Sequence, residues 1–417
     1  MEYISSKNIF LLLRDTLKLI DRKPMDHGSR VGYIMCKMLE CKGGYEQFEL
    51  ADFLMLATLH DIGVYKTDKT EGSAIQYEFK NPMPHSTYGF LFLKHITPLA
   101  DKAKMVLHHR TALNNFPKED FEYKEETEFL ELAEAAEIYH SALGKEFDYR
   151  MFRKQEGVFY SKRALDYLDI AVSKYDIFSH IEDESYQKEL DALLDYMIFT
   201  NEDKKKFMEV LMYCIGFRSD VALVDAVTSL CVSLELAKKL ELSEGSSEKL
   251  YYGSLVHDIG MLSVPASIIE APRKLTDSEI VEMRTHVEKE EKILLNRLDE
   301  EIVSIATMHH ERLDGSGYPK GLKGAMMSKE QFIVQLADVV TGLTCERSYR
   351  KSKSKDEVIK ILKEEGERGK LDIRTIEVFI DNYDDIMQLV SEECKKALET
   401  YQMLNNKYGK ISEKISK

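Results

Sequence analysis

Residues 59–63 read LHDIG and residues 256–260 read VHDIG. A single His-Asp doublet is usually a surface pair or a satisfied core pair, but here it is one mark on a longer ruler. In the first half His27 precedes His60 by 33 residues, His85 follows by 25, His108 and His109 begin 23 later, and Glu137 lies 28 beyond His109. In the second half Asp225 precedes His257 by 32, His286 follows by 29, His309 and His310 begin 23 later, and Asp338 lies 28 beyond His310. Nine of the twelve histidines fall on these marks; His95, His140 and His180 do not. Unrelated histidines would not keep their intervals across a duplication whose other side chains have drifted, so the spacing points to metal binding. Imidazoles and carboxylates without thiolates favour iron, manganese or a similar first-row ion over a cysteine-type structural zinc site. Each set carries enough donors for two divalent ions.

Apolar residues recur at helical spacing through most of the chain, as in Leu50, Phe53, Leu54 and Ala57 ahead of the first doublet. Strand alternation is scarce, which predicts an all-α protein. Three capping-box patterns mark helix starts: Thr276 with Glu279, Ser328 with Gln331, and Ser354 with Glu357. The Gly- and Pro-rich run HHERLDGSGYPKGLKG, residues 309–324, reads as one ordered loop between two helices. At 417 residues the chain is long enough for two cores. Residues 181–206 are charged and weakly patterned, which places the boundary there and predicts domains 1–195 and 196–417, with a helix able to span the link.

The composition excludes several classes. A formal charge of −15 repels polyphosphate backbones, so nucleic acid is not an expected partner, whereas a small anion held by local cations is compatible with it. The longest early apolar stretch, residues 9–20, contains Arg14, Asp15 and Lys18, which argues against a membrane span or a signal-peptide core and for the cytoplasm. The six cysteines include no C-x-x-C pair and are expected to be reduced thiols. The linking helices could support a homodimer.

HDIG at residues 257–260, HHERLDGSGYP at 309–319 and LADVVTGLTCERSYR at 336–350 together resemble the HD superfamily of metal-dependent phosphohydrolases, and the second half looks like its HD-GYP branch. HDIG at 60–63 and HGSR at 27–30 extend the resemblance to the first half, as a degenerate tandem copy. The resemblance implies two all-helical domains and a phosphodiesterase of bacterial signalling that hydrolyses cyclic di-GMP or cyclic GMP-AMP through a dinuclear metal centre. It implies that Asp258 bridges two ions, with His257 and Asp338 on the first and His286, His309 and His310 on the second. Asp225 stands where the family has a first histidine ligand. Asp258, His257 and Arg347 would form the catalytic group, and Gly317, Tyr318, Arg347 and Arg350 would bind substrate, with Gly315 and Gly317 supplying φ values that a side chain hinders. In the first half His27, His60, Asp61, His85, His108, His109 and Glu137 would hold metal.

Both halves depart from the family pattern. The first replaces the GYP loop with RTALNNFP at 110–117 and has Phe147 in place of Arg347; the second has Asp225, Thr228 in place of an arginine, and Met261 where a lysine usually follows HDIG. Val64 stands at that place in the first half. A cyclic-dinucleotide phosphodiesterase working from the second half is the leading expectation. The alternatives are a slow or inactive cyclic-dinucleotide sensor or scaffold, and a first domain that hydrolyses another phosphoester.

Overall fold

Short polar side chains start the helices where the sequence indicates. Thr276, Ser328 and Ser354 each accept from the backbone N–H three residues on, and the Glu279, Gln331 and Glu357 side chains reciprocate by accepting from the cap N–H. The computed structural model describes residues 4–67, 83–217, 219–346 and 351–415, and among these it is helical, with two isolated β-bridges, Glu156 to Tyr160 and Asp314 to Lys323, and no strand. No described helix is long and apolar enough to cross a membrane.

Five helices carry the marked residues of the first half: α1 (Arg22–Lys42), α2 (Gln47–Leu59), α3 (Met83–Ile96), α4 (Ala103–His108) and α5 (Lys124–Leu143). Five more carry those of the second: α6 (Asp220–Lys239), α7 (Glu244–Val256), α8 (Asp277–Leu294), α9 (Glu300–Thr307) and α10 (Lys329–Thr344). The order is the same, and both doublets follow a 13-residue helix. In each half the apolar stripe of the last helix aims its acidic residue. Along α10, Ile333, Leu336, Ala337 and Val340 are buried at the helical period, which leaves Asp338 half-buried beside that face. Along α5 the positions 130, 133, 134 and 137 share one face, and there Leu130 and Ala133 are joined by the buried carboxylates of Glu134 and Glu137.

Contacts divide the chain into two compact units, one of Asp21–Lys206 with Leu404–Lys417, the other of Met1–Ile20 with Phe207–Met403. The two ends are thus exchanged relative to a single cut between residues 195 and 196. Burial decides this rather than chain order. Helix Ser6–Leu17 buries Ile9, Phe10, Leu12, Leu13 and Leu17, and within the second-half unit Asn8 donates to the Arg297 carbonyl at 3.1 Å while Asp15 pairs with the Arg297 guanidinium at 3.3 Å. Tyr408, near the other end, packs on Tyr88 of the first-half unit with ring centroids 5.8 Å apart. Residues 181–206 hold helix Tyr186–Leu194 and the start of helix Asn201–Ile215.

Burial of a carboxyl on α5 has a measurable cost. Glu131 is 7 % exposed, and burial, with Glu128 adding to it, pushes its carboxyl up from the ordinary 4.5 to about 9. The folded chain therefore holds Glu131 neutral, so its contribution to stability is fully present below pH 4.5 and is lost as pH rises toward 9. Glu131→Gln is expected to stabilise the fold by about 1–3 kcal/mol at pH 8.5 and by under about 0.5 kcal/mol at pH 4.5, read from thermal melts at the two pH values.

Candidate functional site

Each doublet sits where a helix ends. His60 and His257 are the C-caps of α2 and α7, so carbonyls of the last turn lack helical partners. His60 Nδ1 lies 2.5 Å from the Ala57 carbonyl and His257 Nδ1 lies 2.8 Å from the Ser254 carbonyl. A carbonyl can only accept, so each Nδ1 carries a proton and each Nε2 is turned inward; at His60 burial is outweighed by the Asp61 and Glu134 carboxylates, which hold the imidazole well above its usual value. The same bond to the carbonyl three residues back recurs at helix ends for His109 with Val106 (2.6 Å) and His309 with Ala306 (2.6 Å), and inside α8 for His286 with Met283 (2.6 Å). Bonding of this kind fixes the ring and its tautomer before any metal binds.

The Ile-Gly that follows each doublet has two tasks. Ile62 and Ile259 are fully buried in the core. Gly63 and Gly260 let the backbone of the next histidine-bearing helix pass, since a Cβ on Gly63 would lie 2.1 Å from the His85 carbonyl oxygen and one on Gly260 would lie 2.1 Å from that of His286. The repeated tetrapeptide is thus a single joint: two candidate ligands at a helix end, an anchor, and a gap through which the next histidine approaches.

The doublet aspartates face two ways. In the second half Asp258 Oδ2 lies 3.3 Å from His257 Nε2, while Oδ1 lies 3.6 Å from His286 Nε2 and 3.8 Å from His309 Nε2. His286 and His309 approach each other at 3.3 Å, and His286, His309 and His310 form a group able to hold a metal. In the first half Asp61 Oδ2 lies 3.4 Å from His60 Nε2 and 3.9 Å from His27 Nε2, while Oδ1 lies 3.3 Å from His85 and 3.6 Å from His109. Here the metal-capable groups are His27, His60, Asp61 and Glu134 on one side and Asp61, His85 and His109 on the other. Donors about 2.1 Å from one first-row ion stand about 3.0–3.4 Å apart, so these separations suit metal ligation. Burial keeps His286 and His309 below the usual imidazole value and holds His85 down at about 3, which leaves their lone pairs free of protons.

Three expectations are corrected. His108 leaves the cluster and packs its ring on Phe116 and Phe121, with centroids 6.1 and 5.4 Å away. Its neighbour His109 makes the contacts that His309 makes, so the true register pairs His109 with His309 and Arg110 with His310. Glu137 is not in the metal-capable group; Glu134 is, 2.8 Å from His27 Nε2 and 2.9 Å from His60 Nε2. Glu137 instead grips the far nitrogen of His27 and the Arg30 guanidinium. Burial lowers both groups' tendency to ionise, but the Glu134 and Glu137 carboxylates outweigh it and hold His27 up at about 10, while His27 and Arg30 bring Glu137 down to about 2. The signal for Glu134 was present in the sequence: LAE at 132–134 matches LAD at 336–338. Finally, Gly315 has φ +83° as expected, but Gly317 is needed for space, since a Cβ there would lie 2.4 Å from the Arg312 nitrogen and the Glu311 Cα.

Asp225 enters no metal-capable group among the described residues. Its surroundings have changed with it: Thr228 stands in place of Arg30 and Thr341 in place of Glu137, and both hydroxyls turn back to carbonyls of their own helices, at 2.7 and 2.8 Å. Asp338 accepts from His310 Nδ1 at 3.1 Å. The HHERLDGSGYP segment is one ordered loop. Buried Glu311 ties it together by accepting from the N–H groups of Lys320, Gly321 and Leu322 at 2.6, 3.2 and 2.9 Å. This sets the Tyr318 ring against His310, centroids 4.7 Å apart, with the Arg284 guanidinium over the ring, 4.7 Å from its centroid. Arg312 lies 3.9 Å from Asp338. Neither Arg284 nor Arg312 was singled out from the sequence, because only the folded loop brings them to Tyr318 and Asp338. Arg347 and Arg350 lie outside the described residues. In the first half Phe147 joins a ring cluster with His140 and Phe178, centroids 5.6 and 4.9 Å away, which offers no cation.

The site has known parallels. Residues 216–374 match the HD domain family. A 3'3'-cGAMP-specific phosphodiesterase of Vibrio cholerae is 28 % identical over 413 residues, covering 93 % of this chain and 94 % of that one. A cyclic di-GMP phosphodiesterase of Pseudomonas aeruginosa is 33 % identical over 141 residues, about a third of each chain. The crystal structure of a cyclic GMP-AMP-specific phosphodiesterase of V. cholerae shares the fold across 91 % of this chain and 97 % of that one, with a TM-score of 0.57 at 16 % sequence identity.

The Gly260 gap makes a direct prediction. Gly260→Ala is expected to push His286 off its place, weakening metal retention by the second half about 10- to 100-fold. Titration of the metal-free protein with manganese(II) against a chelator reads the change, and unaltered affinity would refute the role of the gap.

Proposed function

We propose that this chain is a metal-dependent phosphodiesterase that linearises a cyclic dinucleotide, cyclic di-GMP or cyclic GMP-AMP, with the chemistry in the second half. The observation that carries the reading is Asp258, one carboxylate facing His257 on one side and the His286–His309 pair on the other, with the loop residue Tyr318 packed on the neighbouring His310. The match to the V. cholerae phosphodiesterase along nearly the whole of both chains supports it. Bound divalent ions at such a site supply an acidified water and neutralise charge on the phosphate. Asp258, His286, His309 and His310 would hold one ion, and His257 and Asp338 would contribute to another. Iron or manganese as the metal, two ions per competent domain, a cytoplasmic location and no part for nucleic acid belong to the same proposal.

Phosphoryl transfer asks chiefly for positioning and charge neutralisation. His257, His286 and His309 are held with Nε2 forward by their Nδ1 bonds to the carbonyls three residues back, and His310 by its bond to Asp338, so the rings need little reorganisation to bind. Arg284, over the Tyr318 ring, and Arg312, near Asp338, offer positive charge for a phosphate. Arg347 and Arg350 are proposed as further phosphate cations. Met261 adds no charge where the family pattern has a lysine, which should slow turnover.

The same two departures, Met261 and Asp225, favour a second reading: a sensor that binds a cyclic dinucleotide without cleaving it. Turnover separates the two. With manganese(II) or iron(II), full-length protein is expected to convert at least one of the two cyclic dinucleotides to its linear form. Asp258→Ala and His309→Ala should each lower kcat by about 10²-fold or more, and Asp61→Ala by less than about tenfold. Binding in calorimetry without a linear product by chromatography would establish the sensor instead.

A further inference from the structure

The first half contains a substitution in its metal chemistry that no departure in its loop explains. His109 and His309 are equivalent by their surroundings: each Nδ1 bonds the carbonyl three residues back, and each Nε2 meets the preceding histidine of the ruler, His85 at 3.5 Å and His286 at 3.3 Å. The residue that follows is Arg110 in one half and His310 in the other. His310 turns its ring to Asp338 at 3.1 Å; Arg110 turns its guanidinium to Glu134, the residue in the place of Asp338. A guanidinium has no lone pair to give a metal and keeps its charge at every working pH. It removes a donor from the second ion's place and adds a fixed positive charge beside it.

The first ion's place is untouched. Glu134 spends one oxygen on Arg110 and keeps the other, Oε2, 2.8 Å from His27 Nε2 and 2.9 Å from His60 Nε2. Asp61 completes that group, and Glu137 holds the far side of His27. The residues present therefore fit one divalent first-row ion with two imidazole and two carboxylate donors, whereas the other metal-capable group, Asp61, His85 and His109, keeps three donors but has the Arg110 charge where the second half has a fourth donor, His310.

We propose that the first half binds a single divalent metal ion at His27, His60, Asp61 and Glu134, and that the Arg110 guanidinium permanently occupies the place of a second. Such a site keeps a metal's structural role while lacking the paired ions that a two-metal hydrolysis uses. The proposal does not depend on the activity of the second half.

Metal counting tests it on the full chain. In an Asp258→Ala/His309→Ala background, which disables the other cluster, manganese(II)-loaded and desalted protein is expected to retain about one ion per chain by elemental analysis. Its electron paramagnetic resonance should show an isolated, uncoupled manganese. Adding Arg110→His should raise the count by one and produce a spin-coupled pair, and adding Glu134→Ala should lower it toward zero. Circular dichroism melts confirm folding of each variant. Should Arg110→His not fold, Arg110→Gln removes the charge alone and is expected to loosen the bar, giving weak uptake of a second ion at high manganese. Two retained ions, or none, in the parent background would overturn the proposal, as would a count that stays at one in every folded Arg110 variant.

Discussion

Everything at both centres depends on one carboxylate whose two oxygens look in opposite directions. Asp61 and Asp258 each present Oδ2 to the histidine just before them and Oδ1 to the pair of histidines brought by later helices. That geometry is possible because the doublet lies past the end of a helix, where the chain turns out of the helical path. The same helix end supplies the carbonyls that hold His60 and His257. A doublet in mid-helix would lack that turn.

The two halves have eroded at different places. In the first, His27, His60, Asp61 and Glu134 converge while Arg110 replaces the last histidine. In the second, His286, His309 and His310 converge while the set around Asp225 has changed together, with Thr228 and Thr341 in place of an arginine and a glutamate. The changes are concerted because the lost residues supported one another: Glu137 serves both His27 and Arg30, so it has no task once the histidine is gone. The structural features divide along the same line. The half with the ordered loop, Tyr318 and nearby cations keeps the three-histidine group, and the half without them keeps a carboxylate-rich pocket.

Burial makes these pockets sensitive to charge. Removal from water disfavours every ion in them, yet His27 is held up at about 10 because two carboxylates face it, and His85 falls to about 3. Identical side chains on one ruler thus differ in protonation by their immediate partners, a difference no spacing encodes.

Much was legible in the chain alone. Helical periodicity and turn chemistry are local, so the all-α class, the three capping boxes and the ordered loop could be read directly, and the paired HDIG motifs announced two ligand sets. Register was not local. Counting from the histidine pair aligned His108 with His309 and chose Glu137, because the interval from His109 to Glu134 is four residues shorter than that from His309 to Asp338; the side chains that converge are His109 and Glu134. The placement of Arg284 and Arg312 and the exchange of the chain ends were likewise decided by packing. Sequence fixes which donors exist and on which helix face they stand. Which of them share an ion depends on how the helices cross, and that is set by contacts between residues far apart in the chain.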